Sequence, residues 1–336
     1  MHPSIDVGSP DMRVTHSLLH TDDLARLLER EYAIVAPVTV SLLNRGFNDT
    51  YRVTDADGGR RVLRVYNRDK YWIRSESDLL FELDLLEHLA AAGLAVVRPY
   101  PRTTGDRLGR LGAPEGERGF ALFTHAPGRP SYEGTLTADQ WRGFGAGIAR
   151  MHREMDAFRT DHDRYHLDER VLIHRPLAGL APYAGSERAL ADLAELTRLG
   201  GQLTDRLRRL RTIPGAYAIV HADLHRGNTH VDDEGRFRTF DFDHCGFGLR
   251  AYDLVAQYRG PDSPAGDRDR WTAVLAGYQE VRPLSPAEVE GLPALAACRA
   301  LWDVGDWLGA TDRTGDAWVT EAVITKLLAD VRAASG

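Results

Sequence analysis

Between His221 and Asp243 the chain gathers oxygen donors at spacings suited to metal-assisted chemistry. The segment reads His221-Ala222-Asp223-Leu224-His225-Arg226-Gly227-Asn228, and Phe240-Asp241-Phe242-Asp243 follows. Between the two, residues 229–231 and 237–240 flank Asp232-Asp233-Glu234-Gly235, the pattern of two strands joined by a turn. Such a hairpin brings Asn228 at one end beside Asp241 at the other, so an amide oxygen and a carboxylate share one space. Ligands of that kind suit Mg²⁺, a hard cation that keeps several waters and takes few protein oxygens beside nucleotide phosphates. Asp223 lies five residues before Asn228, on the loop leading into the hairpin. A carboxylate there can orient an attacking hydroxyl and accept its proton. The competing reading is a solvated Asp/Asn-rich turn, which does not account for the apolar flanks Phe240 and Phe242 around Asp241.

An aspartate five residues ahead of a metal-binding asparagine is also the spacing of kinase catalytic loops. The His-x-Asp-Leu-His-x-Gly-Asn string and the later Asp-Phe-Asp resemble the aminoglycoside phosphotransferase and choline kinase superfamily more closely than protein kinases proper. The resemblance implies a catalytic base at Asp223 and metal ligands at Asn228 and Asp241, with Asp243 as a second metal contact or a supporting one. It also implies that His221 and His225 brace the loop, and that Asp253, in Tyr252-Asp253-Leu254, stabilises the chain beyond the metal site.

Further roles follow from the same resemblance. Asn44-Arg45-Gly46-Phe47-Asn48-Asp49-Thr50 is similar to the superfamily's phosphate-covering loop, with Gly46 and Asn48 beside the nucleotide. It has one glycine, and an ordinary hairpin loop fits equally well. Arg64, in Val62-Leu63-Arg64-Val65-Tyr66, stands where a cation would meet the α/β-phosphates, with Glu82 on the next helix as its partner. Kinase folds usually place lysine there, but Lys70 and Lys326 are the only lysines and neither falls on the strand. Arginine also binds phosphate, with fork geometry. The alternatives are a surface charge for Arg64 and a solvated helix face for Glu82. Residues 120–128 look like the connection between lobes, where backbone groups of Phe123, Thr124 and His125 would bond adenine; a plain inter-domain link is the alternative. Trp302, Asp303, Asp306 and Trp307 would help build the acceptor pocket, or are two core tryptophans with solvated acids beside them. His152, His162 and His166 match no metal-binding pattern and are expected on the surface.

These side chains need a scaffold. Thr21, Asp22 and Asp23 open a short helix carrying Leu24, Leu27 and Leu28. Residues 41–43, 51–53 and 62–65 are strand-like, with Asp57-Gly58-Gly59 as a hairpin turn. Residues 75–92 read as a helix, with Ser75 and Asp78 as a capping box, a Leu79/Leu83/Leu86/Ala90 stripe and Gly93 as the stop. Two more strands are expected at 107–111 and 119–123. Helical periodicity then covers 137–157, 184–211, 265–281, 285–309 and 317–333, interrupted by the 229–240 hairpin. The expected class is α+β, a bilobal protein-kinase-like fold. Its parts are a loose arm over 1–20, a β-rich nucleotide-binding lobe over 21–126 and a mainly helical catalytic and acceptor-binding lobe over 127–336. The active site would lie in the cleft between lobes.

Composition excludes several classes. The 336 residues carry 42 Lys+Arg against 49 Asp+Glu, a net charge of −7, which argues against a dedicated nucleic-acid binder. Two cysteines, Cys245 and Cys298, exclude a disulfide framework and a Cys-rich zinc site. No apolar run is long enough to span a membrane, and residues 1–11 lack the apolar core of a signal peptide, so a cytoplasmic setting is expected. The activity that the resemblance implies is Mg²⁺-dependent transfer of the γ-phosphoryl group of ATP, with GTP as the alternative donor, to a hydroxyl. The implied acceptor is a small molecule: an amino alcohol such as homoserine or choline, or an aminoglycoside-type antibiotic. A Ser/Thr peptide or protein is the second reading, favoured by a wide groove rather than a closed acidic pocket. A non-enzymatic nucleotide-binding module is the third, and the joint presence of Asp223, Asn228 and Asp241 argues against it.

Overall fold

The computed structural model describes residues 13–258, 260 and 263–335, so residues 1–12 of the expected arm lie outside it. The chain divides into two compact units, one running to Arg68 and including Tyr100–Phe123, the other made of Asp69–Pro99 and Thr124 onward.

The first unit is a five-stranded sheet with one helix. Strands β1 (Thr39–Arg45), β2 (Asn48–Thr54), β3 (Arg60–Tyr66), β4 (Gly109–Ala113) and β5 (Gly116–Thr124) lie in the order β1-β2-β3-β5-β4. The β1/β2, β2/β3 and β4/β5 pairs are antiparallel. The alternation of β2 and β3 sends Tyr51, Val53, Leu63 and Val65 to one face. There they meet Leu24 and Leu28 of α1 (Thr21–Glu31), together with Phe120 and Leu122. Each such burial stabilises by about 1.5–3 kcal/mol. A buried ion pair ties the sheet's end: Arg118 Nη2 lies 2.7 Å from Asp49 Oδ2, while Nε donates to the Tyr66 carbonyl and Nη1 to that of Ser17.

The second unit is mainly helical. It holds α2 (Glu76–Ala91), α3 (Ala138–Ala157), α4 (Arg175–Leu180), α5 (Glu187–Arg211), α6 (Tyr252–Val255), α7 (Ala265–Val281), α8 (Pro286–Leu308), α9 (Thr311–Thr314) and α10 (Glu321–Ser335). Capping boxes fix three starts: Ser75/Asp78 for α2, Thr137/Gln140 for α3 and Ser285/Glu288 for α8. Helices α3 and α7 cross closely because each offers a glycine to the other's backbone. A Cβ on Gly145 would strike the Val274 carbonyl, and one on Gly277 that of Arg142. Two small sheets complete the unit: β6 (Arg129–Pro130), β8 (Thr229–Val231) and β9 (Phe237–Thr239) in the order β6-β8-β9, and β7 (Tyr217–Val220) with β10 (Gly246–Leu249).

The sequence reading missed the β7/β10 pair and the helical stretch from Arg170 to Leu180, which opens with a π-turn. The division also differs from a single boundary at 126/127, because α2 groups with the helical unit. A local cause is Arg164, fully buried, which donates to the Asp78 carbonyl on α2 and to the carbonyls of Asp243 and Cys245. Among the described residues no helix is long and apolar enough to cross a membrane. Cys245 and Cys298 are buried free thiols.

Candidate active site

The hairpin forms as its turn residues demand. Thr229 pairs with Thr239 and Val231 with Phe237, and the Phe240 N–H donates to the Asn228 carbonyl at 3.0 Å. Asn228 and the Phe240-Asp241 step are therefore neighbours. Asp241 adopts a left-handed conformation (φ 65°), as does Ala222 (φ 70°), the residue before Asp223. Non-glycine residues in that region are strained and persist where surrounding structure holds them.

For Ala222 the holding group is Asp253. Its Oδ1 accepts the Ala222 N–H at 2.8 Å, and its Oδ2 accepts the His221 N–H at 2.8 Å and a ring N–H of His152 at 2.9 Å. The other His152 ring nitrogen lies 2.9 Å from the Tyr278 hydroxyl. Burial lowers the His152 pKa, so the ring is neutral, giving to Asp253 and receiving from Tyr278. His152 is thus a buried polar centre and not the surface residue expected; helix α3 turns it inward, whereas His166 stays exposed. His221 links the loop to the hairpin: one ring nitrogen faces the Asp223 N–H at 3.3 Å and the other the Phe240 carbonyl at 3.1 Å. The His225 ring accepts from the Gly227 N–H and lies 3.5 Å from Asp223 Oδ2.

Asp223 is gripped on both carboxylate oxygens. Arg299 Nη2 donates to Oδ1 at 2.8 Å and Asn228 Nδ2 to Oδ2 at 3.1 Å. Burial alone would raise its pKa, but His225 and Arg299 outweigh that and hold the carboxyl well below the ordinary range. Burial draws the His225 pKa down, and the Asp223 carboxylate more than reverses it, for a net rise. Because the Asn228 amide nitrogen is turned to Asp223, its Oδ1 is left without a hydrogen bond among the described residues. An open amide oxygen beside a half-buried carboxylate, Asp241, is a donor set that fits a hard cation completed by water and phosphate oxygens. Among the described residues no cluster of three His, Cys, Asp or Glu is arranged for a metal, so a cation here depends on such outside ligands.

Asp243 does not join that set, which corrects the expectation of a metal contact. It is buried, with Lys70 Nζ 3.0 Å from both carboxylate oxygens and Trp72 Nε1 at 3.2 Å from Oδ2. An ammonium satisfies the charge that a metal would otherwise meet. The sequence held one signal for this pairing: a lysine retained in a chain whose basic residues are otherwise almost all arginine, where a compact point charge is required.

Helix α8 brings in the acceptor-pocket candidates. Trp302 and Asp306, one turn apart, face inward and are buried. Trp302 Nε1 donates to the Tyr71 hydroxyl at 2.8 Å, and Asp306 Oδ2 lies 3.4 Å from His244 Nε2. Among the described residues Asp306 Oδ1 has no hydrogen-bond partner, and burial pushes this carboxyl up to about 6 against the opposing influence of His244. Asp303 is half exposed and accepts from Arg299 Nε at 2.7 Å. Trp307 departs from the expected cluster: its step along the helix turns it outward, 48% exposed. Arg299 was not singled out from the sequence, although it stands one turn before Asp303 with the i, i+4 spacing of an ion pair.

Glu82 is fully buried on α2, which excludes the solvated-face reading, and it acts electrostatically on the buried Arg164. In the first unit the Arg64 guanidinium lies 5.3 Å from the Phe123 ring centroid. The expected phosphate-covering loop is shorter than its sequence suggests, because strands occupy all but Gly46 and Phe47. Asn48 is buried, and its Oδ1 accepts the Asn67 N–H at 3.2 Å. Thr124 cannot offer its N–H to a base, as that group donates to the Arg98 carbonyl at 2.9 Å. His125 is half-buried at the start of the second unit's longer segment.

Comparison with known proteins shows the family of the chain. The model of the phosphotransferase enzyme family matches residues 39–284, and the chain belongs to that family. It is 36% identical to an uncharacterised protein of Deinococcus radiodurans, over 89% of this chain and 85% of that one. It is 29% identical to the homoserine kinase of Methylorubrum populi, over 86% and 87%. In fold it is similar to the amicoumacin kinase hAmiN, solved with AMP-PNP, Ca²⁺ and Ami, with a TM-score of 0.74 and 22% identity over 93% of each chain. The bilobal protein-kinase-like fold and the enzyme class, a phosphotransferase, follow from these matches.

Proposed function

We propose that this protein transfers the γ-phosphoryl group of ATP to the hydroxyl of a small molecule bearing an amino group. The observation that carries the reading is Asp223: a carboxylate held ionised, gripped on both oxygens and standing beside the open amide oxygen of Asn228. Asn228 and Asp241 would hold the cation, Mg²⁺ by the chemistry of their oxygens. When bound, that cation neutralises phosphate charge. Asp223 orients the acceptor hydroxyl and takes its proton. An anion held this firmly is a weak base, so orientation is its main contribution, as a loose phosphoryl-transfer transition state permits. His221, His225 and Asp253 keep the loop in its strained form. Arg64, Gly46 and Asn48, with backbone groups of Phe123 and His125, are the proposed nucleotide contacts, and Glu82 the proposed partner of Arg64.

An amino-bearing acceptor is supported by Asp306, a buried carboxylate whose Oδ1 has no hydrogen-bond partner among the described residues and which would accept an ammonium group. A homoserine kinase among the relatives points to the same class of acceptor. The test is ATP-dependent phosphorylation of a pooled panel read by mass spectrometry, with Asp223→Asn as the blank. The pool holds amino alcohols including homoserine and choline, aminoglycosides, nucleosides and Ser/Thr peptides. A phosphorylated amino alcohol or aminoglycoside, absent from the blank, is expected. Phosphorylated peptides alone would overturn the small-molecule reading.

A further inference from the structure

Arg299 sits at the point where α8 meets the loop carrying Asp223. Its guanidinium is fixed on three edges and one face. Nε donates to Asp303 Oδ1 at 2.7 Å, Nη1 to the Ala222 carbonyl at 3.3 Å and Nη2 to Asp223 Oδ1 at 2.8 Å, while the plane lies 4.7 Å from the Trp302 ring centroid. Only 14% of the side chain is exposed. Asp303 and Trp302 thus orient Arg299, and Arg299 in turn orients Asp223.

The geometry of Asp223 requires such a partner. Asn228 reaches only Oδ2, and a carboxylate held by one oxygen still swings about its terminal torsion, which is broad and soft. A second donor on Oδ1 fixes the plane. That fixed plane aims the lone pairs left over at a hydroxyl, and misplacement by an ångström can cost about a hundredfold in rate. Arginine suits the task because one rigid fork spans two carboxylates and a carbonyl, which lysine's single ammonium does not.

We infer that Arg299 is a positioning residue for phosphoryl transfer, orienting Asp223 through a bridge anchored on Asp303 and Trp302. The inference rests on Asp223 being the group that orients the acceptor. It links the acceptor-side helix to the reacting centre, so an acceptor that displaces Asp303 also repositions Asp223.

The test compares wild type with Arg299→Ala, Arg299→Lys, Asp303→Asn, Asp223→Asn and the double variant of Arg299→Ala with Asp223→Asn. ATP consumption is followed with homoserine as probe acceptor and with water alone, and thermal melts monitor folding. Arg299→Ala is expected to lose about 30- to 300-fold in kcat with the ATP KM almost unmoved, the split that marks an interaction serving the transition state. Added ethylguanidinium should restore at least about a tenth of the lost rate, and Arg299→Lys should fall between wild type and Arg299→Ala. Asp303→Asn should lose less than Arg299→Ala. The double variant should be no slower than Asp223→Asn, since both changes act on one group. A kcat within about threefold of wild type for Arg299→Ala, with Asp223→Asn inactive, would overturn the inference and leave the Asp223 reading standing. Loss without rescue, matched by a lowered melting temperature in both Arg299 variants, would overturn it in favour of a structural role. A double variant slower than Asp223→Asn would also overturn it, by giving Arg299 an independent effect. If Asp223→Asn keeps wild-type rates, the Asp223 reading fails and the inference with it.

Discussion

Replacing Asp306 with asparagine should make the protein more stable, and by an amount that depends on pH. The residue is 4% exposed, Oδ1 has no hydrogen-bond partner among the described residues, and burial lifts the carboxyl pKa from 3.8 to about 6. A carboxyl raised in the folded state binds its proton more tightly there than in the unfolded chain. Its stabilising share is therefore present below the unfolded pKa and is lost as pH climbs through about 6. At about 1.4 kcal/mol for each tenfold change in proton affinity, the ionised group costs about 3 kcal/mol near pH 8 and about 1.5 kcal/mol near pH 5. Asparagine keeps the shape and carries no charge, so it should recover most of these amounts. Urea unfolding of wild type and Asp306→Asn at the two pH values measures the difference directly. A gain that is equal at both pH values, or a loss near pH 8, would refute the claim that burial penalises this anion. The same variant should bind an amino-bearing acceptor more weakly, because an ammonium group would lose its counter-charge. Stability would then have been given up for function at this position, a common trade at binding sites.

Three further outcomes are expected. Asp223→Asn should lower kcat by at least about a hundredfold while calorimetry finds ATP affinity largely kept, and unchanged turnover would remove Asp223 from its role. Asp241→Ala should abolish the divalent-cation dependence of ATP binding in the same titration, and a wild-type response to chelator would take Asp241 out of the cation site. Arg118→Met should destabilise by about 3–5 kcal/mol in urea unfolding, because it takes from the buried Asp49 carboxylate its shortest donor, leaving His16 at 3.4 Å, and removes the donor to the Tyr66 and Ser17 carbonyls, and a change under about 1 kcal/mol would show that the pair is not desolvated.

Features set by a few neighbouring residues were legible in the sequence. The capping box of α2, the turn between β8 and β9, and the approach of Asn228 to Asp241 all follow from local chemistry. Contacts made across long stretches of chain were not. Lys70 and Asp243 are separated by 173 positions, and Arg299 and Asp223 by 76. No periodicity encodes such a pairing, and a charged residue reads as solvated until the fold removes its water. His152 failed for the same reason: a histidine near the end of an amphipathic helix looks exposed until Asp253 and Tyr278 meet it. The tryptophans and acids on α8 do not form one cluster, because the helical period turns Trp302 and Asp306 inward and Trp307 outward.

The strain at Ala222 shows how distant packing reaches the chemistry. An alanine in the left-handed region costs about 1–3 kcal/mol, which no local interaction of its own methyl group offsets. Asp253 offsets it by accepting the N–H groups of His221 and Ala222, and Asp253 can remain a buried anion only because His152 supplies the third donor. His152 gives that proton from the correct ring nitrogen because the Tyr278 hydroxyl occupies the other. His152 lies on α3 and Tyr278 on α7, the two helices whose glycines let their backbones approach. A larger residue at Gly145 or Gly277 would separate those helices and lengthen the hydrogen bond between their side chains. The effect would pass through the Asp253 carboxylate to the backbone that aims Asp223. The orientation of one carboxylate therefore depends on two glycines that touch no part of the reacting site.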